Sequence, residues 1–513
     1  NSTTDAKLGG FAAGKSGAGG GGGNSGTVSL TAPNLIISTT GNNAVALKAQ
    51  SIGGGGGSAG SNVNDVQGGD INVNVGIGAS GGDGGNSGAV SLDIRDGTIL
   101  TTGNNSTALY VQSVGGGGGS SSSFVGGTST SKLSINGTVG GSGGSGGSSG
   151  LVSIVNAADI ETSGNNAIGI YAQSVGGGGG ESSIAAPSSS KDNTLSGSLQ
   201  IGGTAGGGGS AGSVSVNNRG IVVTTGSQSH GVYSQSVGGG GGRVSIATST
   251  ASEGTDASIS FGGKGGDGGD AGNVSVTNSG VIDVSGNAAY GIYAQSVGGG
   301  GGSLSNTAAM SASLGGSAGG GGNSGDITIN NSSTGTVVTR GENAVGVFAL
   351  AIGGGGGDIG SNRDALSLGA SGGNGGSSGN VTLTNAGNIT TLGTGSYGVV
   401  AKSVGGGGGR ATANINEGTL SLGGSGGSGG SSGTVTLRNT GDVLTFGDSS
   451  IPVYLQSVGG GGGDVQSGFG DATLGSNGAT GRSGRTVLIN TGTLQSNSEF
   501  SPAILHQAIG GGG

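Results

Sequence analysis

Gly291-Ile292-Tyr293-Ala294-Gln295-Ser296-Val297, followed by the unbroken run Gly298 to Gly302, decides the fold, because the chain repeats this phrase throughout its length. Ala49-Gln50-Ser51-Ile52, Val111-Gln112-Ser113-Val114, Ala172-Gln173-Ser174-Val175 and Ser234-Gln235-Ser236-Val237 precede it, each before five glycines. Ala349-Leu350-Ala351-Ile352, Ala401-Lys402-Ser403-Val404, Leu455-Gln456-Ser457-Val458 and His506-Gln507-Ala508-Ile509 follow it with drift. The glycine runs begin at 53, 115, 176, 238, 298, 353, 405, 459 and 510, so the period is 62 at most and falls to 51. A regular period is the signature of stacked units. The array covers 1–513, with units ending near 57, 119, 180, 242, 302, 357, 409, 463 and 513, and both ends read as cuts in a longer chain.

Within the phrase, side chains alternate between two faces of a strand. Ile292, Ala294 and Ser296 share the face expected to meet the core; Tyr293 and Gln295 share the other. Lys48 and Lys402 occur on that second face, and an unpaired buried lysine is costly, so it should reach solvent in part. Val297 is expected to break the alternation and turn inward. The recurrent positions are Gln50, Gln112, Gln173, Gln235, Gln295, Gln456 and Gln507, with Ser51, Ser113, Ser174, Ser236 and Ser296, and the series Tyr110, Tyr171, Tyr233, Tyr293 and Tyr454. We read the tyrosines as packing residues and the Gln and Asn positions as amide ladders along the stack.

The order inside each period is fixed. A variable polar stretch such as 181–193 follows the glycines, then a first strand such as Leu420-Ser421-Leu422. A second glycine tract follows, as at 423–430, then a second strand such as Thr434-Val435-Thr436-Leu437. An Asn-x-Gly turn comes next, at Asn218, Asn278, Asn385, Asn439 and Asn490, where glycine can take positive φ and Asn can bond its own backbone. A third strand, as in Val281-Ile282-Asp283-Val284, leads to the fourth, the opening phrase. These short β-branched runs bounded by turn residues predict an all-β chain with helices nearly absent. A unit this small cannot bury its apolar face alone, so copies must stack, and the tightest arrangement is a parallel β-helix. At about 20 residues per rung and ~4.8 Å of rise, the rod would be on the order of 100 Å long. The glycine tracts have two readings, flexible turning loops or threefold extended helices packed side by side.

Composition sets the outer limits. Glycine supplies 139 of 513 residues and proline only 4, which excludes a collagen-like fibre, while 30% hydrophobic content argues against one large globular core. With 16 basic and 25 acidic residues, for a net charge of -9, the chain lacks the basic stripe that nucleic acid requires. It has no cysteine, hence neither disulfide nor thiolate metal site.

Several motifs mimic chemistry. Gly9-Gly10-Phe11-Ala12-Ala13-Gly14-Lys15-Ser16 matches a phosphate-binding loop, but that chemistry needs a helix after the loop, and 17–23 is glycine-rich. It reads instead as a copy of the second glycine tract. Gly262-Gly263-Lys264-Gly265-Gly266-Asp267 begins like a calcium-binding β-roll repeat, making Asp83, Asp267 and Asp270 the calcium candidates, with solvated turn aspartates as the alternative. Gly141-Ser142-Gly143 carries no information in so glycine-rich a chain. His230 and His506 are the two available imidazoles, and each stands in a slot filled elsewhere by Ile168 and Tyr290, or by Ala172. No triad or carboxylate pair recurs, so neither catalytic residues nor a cofactor are expected.

The residues Asn278-Ser279-Gly280-Val281-Ile282, Gly286-Asn287-Ala288 and Gly291 to Val297 before five glycines resemble the glycine-rich repeats of bacterial autotransporter passenger regions, over nearly the whole chain. The resemblance implies export from a Gram-negative cell, contact with the outer membrane only through a C-terminal barrel lying outside this sequence, and display of a parallel β-helix. The expected function is a non-catalytic extracellular structural protein, a stiff rod or filament for adhesion and biofilm cohesion. Its partners would be copies of itself, end to end or laterally, and surface glycans or proteins. The alternatives are an adhesin that binds its ligand through the variable stretches and, third, an ice-binding surface of Thr and Gly.

Overall fold

The structure, a computed structural model, describes residues 8–64, 71–129, 133–185, 188–190, 195–247, 255–306, 312–362, 366–414, 420–467, 472–497, 499 and 501–512. Among them every regular element is a strand, and the strands form five parallel sheets of nine; four sheets draw one strand from each repeat, while the fifth draws its nine from eight repeats, taking both Ser182–Ala185 and Ser188–Ser190 from one of them. The rung starting at Leu195 shows the plan. Leu195–Ile201 belongs to the first sheet, Val214–Asn218 to the second, Ile221–Thr224 to the third, Val232–Val237 to the fourth and Val244–Ala247 to the fifth.

The predicted all-β solenoid is therefore the fold, but two expectations change. A rung is one whole repeat rather than about 20 residues. Tyr171 lies opposite Tyr110 on one side and Tyr233 on the other. At about 4.8 Å per strand, nine rungs span about 43 Å along the axis, not 100 Å. The turns inside a period do not each end a rung, because all five strands of a repeat such as the one from Leu195 to Ala247 lie around a single turn of the solenoid. The fifth strand is the second change: it begins the stretch read as variable and polar, and Ile184, Val244, Ile246, Leu304 and Ile359 pack there as a small core of their own.

The second, third and fourth sheets wrap a larger core. Val216, Val222, Val232, Ile282 and Ile292 are all fully enclosed within it. Alternation on the fourth strand is as read, with Ile292, Ala294 and Ser296 buried and Tyr293 and Gln295 half-buried. Val297 does not turn inward. It continues the outward alternation and is half-buried, because the strand runs straight to its last residue before the glycines. Gly9–Ser16 is also placed differently: Leu8–Lys15 is a strand of the first sheet, paired with Ile71–Ile77, and lies before the second glycine tract rather than within it.

The two glycine tracts of each rung join these lobes, running antiparallel past each other through the waist. Neither is a loose loop. Their hydrogen bonds alternate between the tracts as the stack rises: Gly116 N–H to Gly85 O (2.9 Å), Gly147 N–H to Gly116 O (2.7 Å), Gly177 N–H to Gly147 O (2.8 Å) and Gly209 N–H to Gly177 O (2.7 Å). This zigzag continues unbroken from Gly23 to Gly511, and a second runs beside it through Gly57, Gly82, Gly119 and Gly144. Other glycines bond straight up their own column, as Gly115 N–H does to Val175 O and Gly118 N–H to Gly178 O. The pattern repeats every third residue, and past the first residue of the second tract, where Gly315 and Gly369 are left-handed, the tracts have no left-handed φ, which is the threefold extended helix packed side by side.

Close approach explains the glycine. A Cβ on Gly177 would lie 1.9 Å from Gly116 O, whereas one on Gly178, the third position of the period, would meet nothing nearer than 3.9 Å. The Asn-x-Gly turns follow the same logic. Gly220 does not take positive φ; its Cβ would strike Ala158 O at 2.1 Å. Left-handed backbone falls instead in the turn before the fourth strand, at Asn105, Asn166, Gln228, Ala288 and Asn343. Asn218 does bond its own backbone, donating to Gly220 O (3.1 Å), and the same amide donates up the stack to Asn278 Oδ1 (3.0 Å). This ladder runs buried from Asn156 to Asn439 and ends at the exposed Asn490.

Gly177→Ala should lower unfolding stability by at least ~2 kcal/mol through backbone overlap, while Gly178→Ala, one residue on, should stay within ~0.5 kcal/mol. Denaturant melts of the two variants measure the difference.

Candidate functional site

The outward face of the fourth sheet gathers most of the recurrent side chains. Stacking identical strands one rung apart places Tyr110, Tyr171, Tyr233, Tyr293 and Phe348 in one column, with ring centroids 4.8, 5.2, 4.6 and 5.1 Å apart and planes within 11° of parallel. Lys48 caps the column over Tyr110 at 5.4 Å, and Lys402 lies over Tyr454 at 4.4 Å. The rings thus cover each other's faces and turn their edges outward. Burial pushes the Tyr110, Tyr171, Tyr233, Tyr293 and Tyr454 phenols above their ordinary range and lowers the Lys402 ammonium.

Beside the rings runs an amide ladder. Gln50 Nε2 donates to Gln112 Oε1 (2.7 Å), Gln112 to Gln173 (2.6 Å), Gln173 to Gln235 (2.5 Å) and Gln235 to Gln295 (2.6 Å). Leu350 and Lys402 interrupt it, and Gln456 to Gln507 (3.1 Å) resumes it. An amide that both donates and accepts is the side chain able to continue such a chain indefinitely.

The serines of the phrase face the other way and fasten the fourth sheet to the end of the second glycine tract. Ser236 Oγ donates to Gly212 O (2.9 Å) and accepts from Gly272 N–H (2.8 Å) one rung on. Ser113, Ser174, Ser296, Ser403 and Ser457 do the same. Both glycine groups are half-buried and lie outside any strand, so the hydroxyl fills a need that hydrophobic contact cannot. Where Ala351 replaces the serine, Ser324 supplies the bond to Gly379 N–H instead (3.0 Å).

One surface feature departs from the repeat. Asn166, Ile168, Gln228, His230, Ala288 and Tyr290 line an open groove of about 400 Å³. His230 Nδ1 accepts from the Tyr290 backbone N–H (3.1 Å), which makes it a neutral imidazole, and burial lowers its pKa from 6.5 to about 4. His506 lies on the fourth sheet opposite Leu455, far along the stack from His230.

The calcium candidates occupy the outward third positions of the second glycine tract. Each carboxylate receives a backbone N–H from the next rung: Asp83 from Ser145 (2.7 Å), Asp267 from Gly320 (2.8 Å) and Asp270 from Asn323 (2.6 Å). Asp267 also pairs with Lys264 (2.9 Å). Asn86, Asn323 and Asn374 make the same bond with an amide oxygen, and Gly207 and Gly320 fill the slot with no side chain, so the slot does not call for a charge. Among the described residues, no three acidic or imidazole side chains converge.

These features define a large all-β tandem-repeat solenoid, a rigid repetitive scaffold whose recurrent residues bond along the stack. No known family, curated protein or solved structure matches the chain.

Ser236→Ala should cost about 2–4 kcal/mol by orphaning Gly212 O and Gly272 N–H, and adding Ala211→Ser should recover part of it, as Ser324 does for Ala351. Double-mutant melts test this. His230 adds a pH dependence. Between pH 6.5 and about 4 the unfolded chain binds a proton that the folded chain refuses, so stability should fall as pH drops through that window. His230→Ile should flatten the profile there.

Proposed function

We propose that this chain is a non-catalytic structural protein of a Gram-negative cell surface or secreted matrix, the passenger part of an autotransporter, which stiffens and holds cells together. The observation that carries this reading is the continuity of bonding along the axis: two glycine zigzags, the Asn and Gln ladders and the tyrosine stack run across rung after rung. The recurrent polar side chains are used in fastening one rung to the next. Uncharged Ser and Thr dominate the outer face of the second sheet, as at Ser91, Ser153, Ser215 and Thr382, and such a surface hydrates without strong like-charge repulsion. The lateral partner on this reading is a further copy of the chain.

The test is display of the chain on bacteria that lack it. Cells carrying the intact chain should settle as clumps. Cells carrying Gly177→Ala together with Gly239→Ala, at equal surface density, should stay dispersed. Dispersed cells with the intact chain would contradict the proposal.

A further inference from the structure

The first sheet is turned inside out. Its inward face buries polar residues, among them Asn72, Thr138, Gln200 and Ser260, each no more than 1% exposed. The Gln200 amide there has no hydrogen-bonding partner. Its outward face carries Phe11 (69% exposed), Ile77 (41%), Ile135 (42%), Leu199 (41%), Ile201 (41%) and Phe261 (44%). The register aligns these into columns: Phe11, Val73 and Ile135 in one, and Ile77, Val139, Ile201 and Phe261 in another. On the second sheet the outward positions include Ser91, Asp93 and Ser153, and the inward ones Val90, Leu92, Val152 and Ile154. A buried polar face opposite an exposed apolar one is the arrangement a lone soluble sheet avoids.

We infer that this face is a lateral interface, covered by the first sheet of a second copy of the chain. Size supports it. A strand of seven residues is about 23 Å long and the five strands from Leu8–Lys15 to Thr255–Phe261 that carry these side chains span about 24 Å, giving about 550 Å² per copy and about 1,100 Å² in all, against the about 1,000 Å² that a biological interface should clear. Periodicity selects the occupant. Side chains recur every ~4.8 Å along the axis, and another copy offers the same spacing, so the rows can interdigitate across these five rungs. The two copies would meet about a twofold axis, each offering the same patch. This rests on the cohesive-scaffold reading and names the surface that does the joining.

Sedimentation of the purified chain up to about 100 µM tests it. The intact chain should form dimers or larger bundles, and Leu199→Lys with Ile201→Lys should leave monomers whose circular dichroism and melting are unchanged. Because the chain has no cysteine, a second readout is clean. Phe261→Cys, in the central rung, should oxidise to a disulfide-linked dimer at least about tenfold faster than Ser215→Cys on the second sheet. Monomers at every concentration, undiminished association in the lysine variant, or equal rates for the two cysteines would overturn the inference. So would a monomer that floats with phosphatidylcholine vesicles, which would make lipid the occupant. Cells that clump while the purified chain stays monomeric would remove this interface and leave the scaffold reading standing; dimers without clumping would do the reverse.

Discussion

Backbone packed directly on backbone is the constraint from which the rest of the structure follows. Two antiparallel glycine tracts cross the waist of every rung, and at most of their positions there is no room for even a methyl group. A glycine chain loses more conformational entropy on folding than any other, so these tracts hold only because their amides are bonded within and between columns. The bonding in turn fixes the spacing of rungs, and the spacing fixes everything stacked on it. Tyr233 meets Tyr293 and Gln235 meets Gln295 because Gly239 and Gly299 are already in register.

The waist also divides the molecule into two lobes of unequal character. The three-sheet lobe has a continuous core of Val, Ile and Leu and puts its polar residues outside or into ladders. The two-sheet lobe has a small core and a first sheet with its polarity reversed. The first lobe can account for the stability of an isolated stack, while the second carries an apolar surface that stability of the single chain does not require.

Much of this was legible in the sequence. Short alternating runs such as Gly291 to Val297 contain their own face assignment, and the recurrence of Gln-Ser identified ladder and core positions before any coordinate. The rung was not legible, because turns divide a period whether it makes one turn of a solenoid or three. The fifth strand was hidden because its core residues, Val244 and Ile246, alternate with Ser245 and Ala247 among polar neighbours and vary between copies. The role of glycine was ambiguous for a deeper reason: the absence of a side chain signals equally a need for freedom and a need for proximity. The third-position side chains, Asp83, Asn86 and Ser145, were the available clue, since a threefold rhythm of tolerated substitution belongs to a packed helix and not to a loose loop.

The most direct test of the account is amide hydrogen exchange at the five-glycine runs. In Gly115 to Gly119 the first, second, fourth and fifth amides donate to carbonyls while that of Gly117 does not. Packed threefold helices therefore predict strong protection at four positions and fast exchange at the middle one, repeated in run after run. Uniform exchange of all five glycines at the rate of an unstructured chain would contradict the packed waist, and with it the fold built around it.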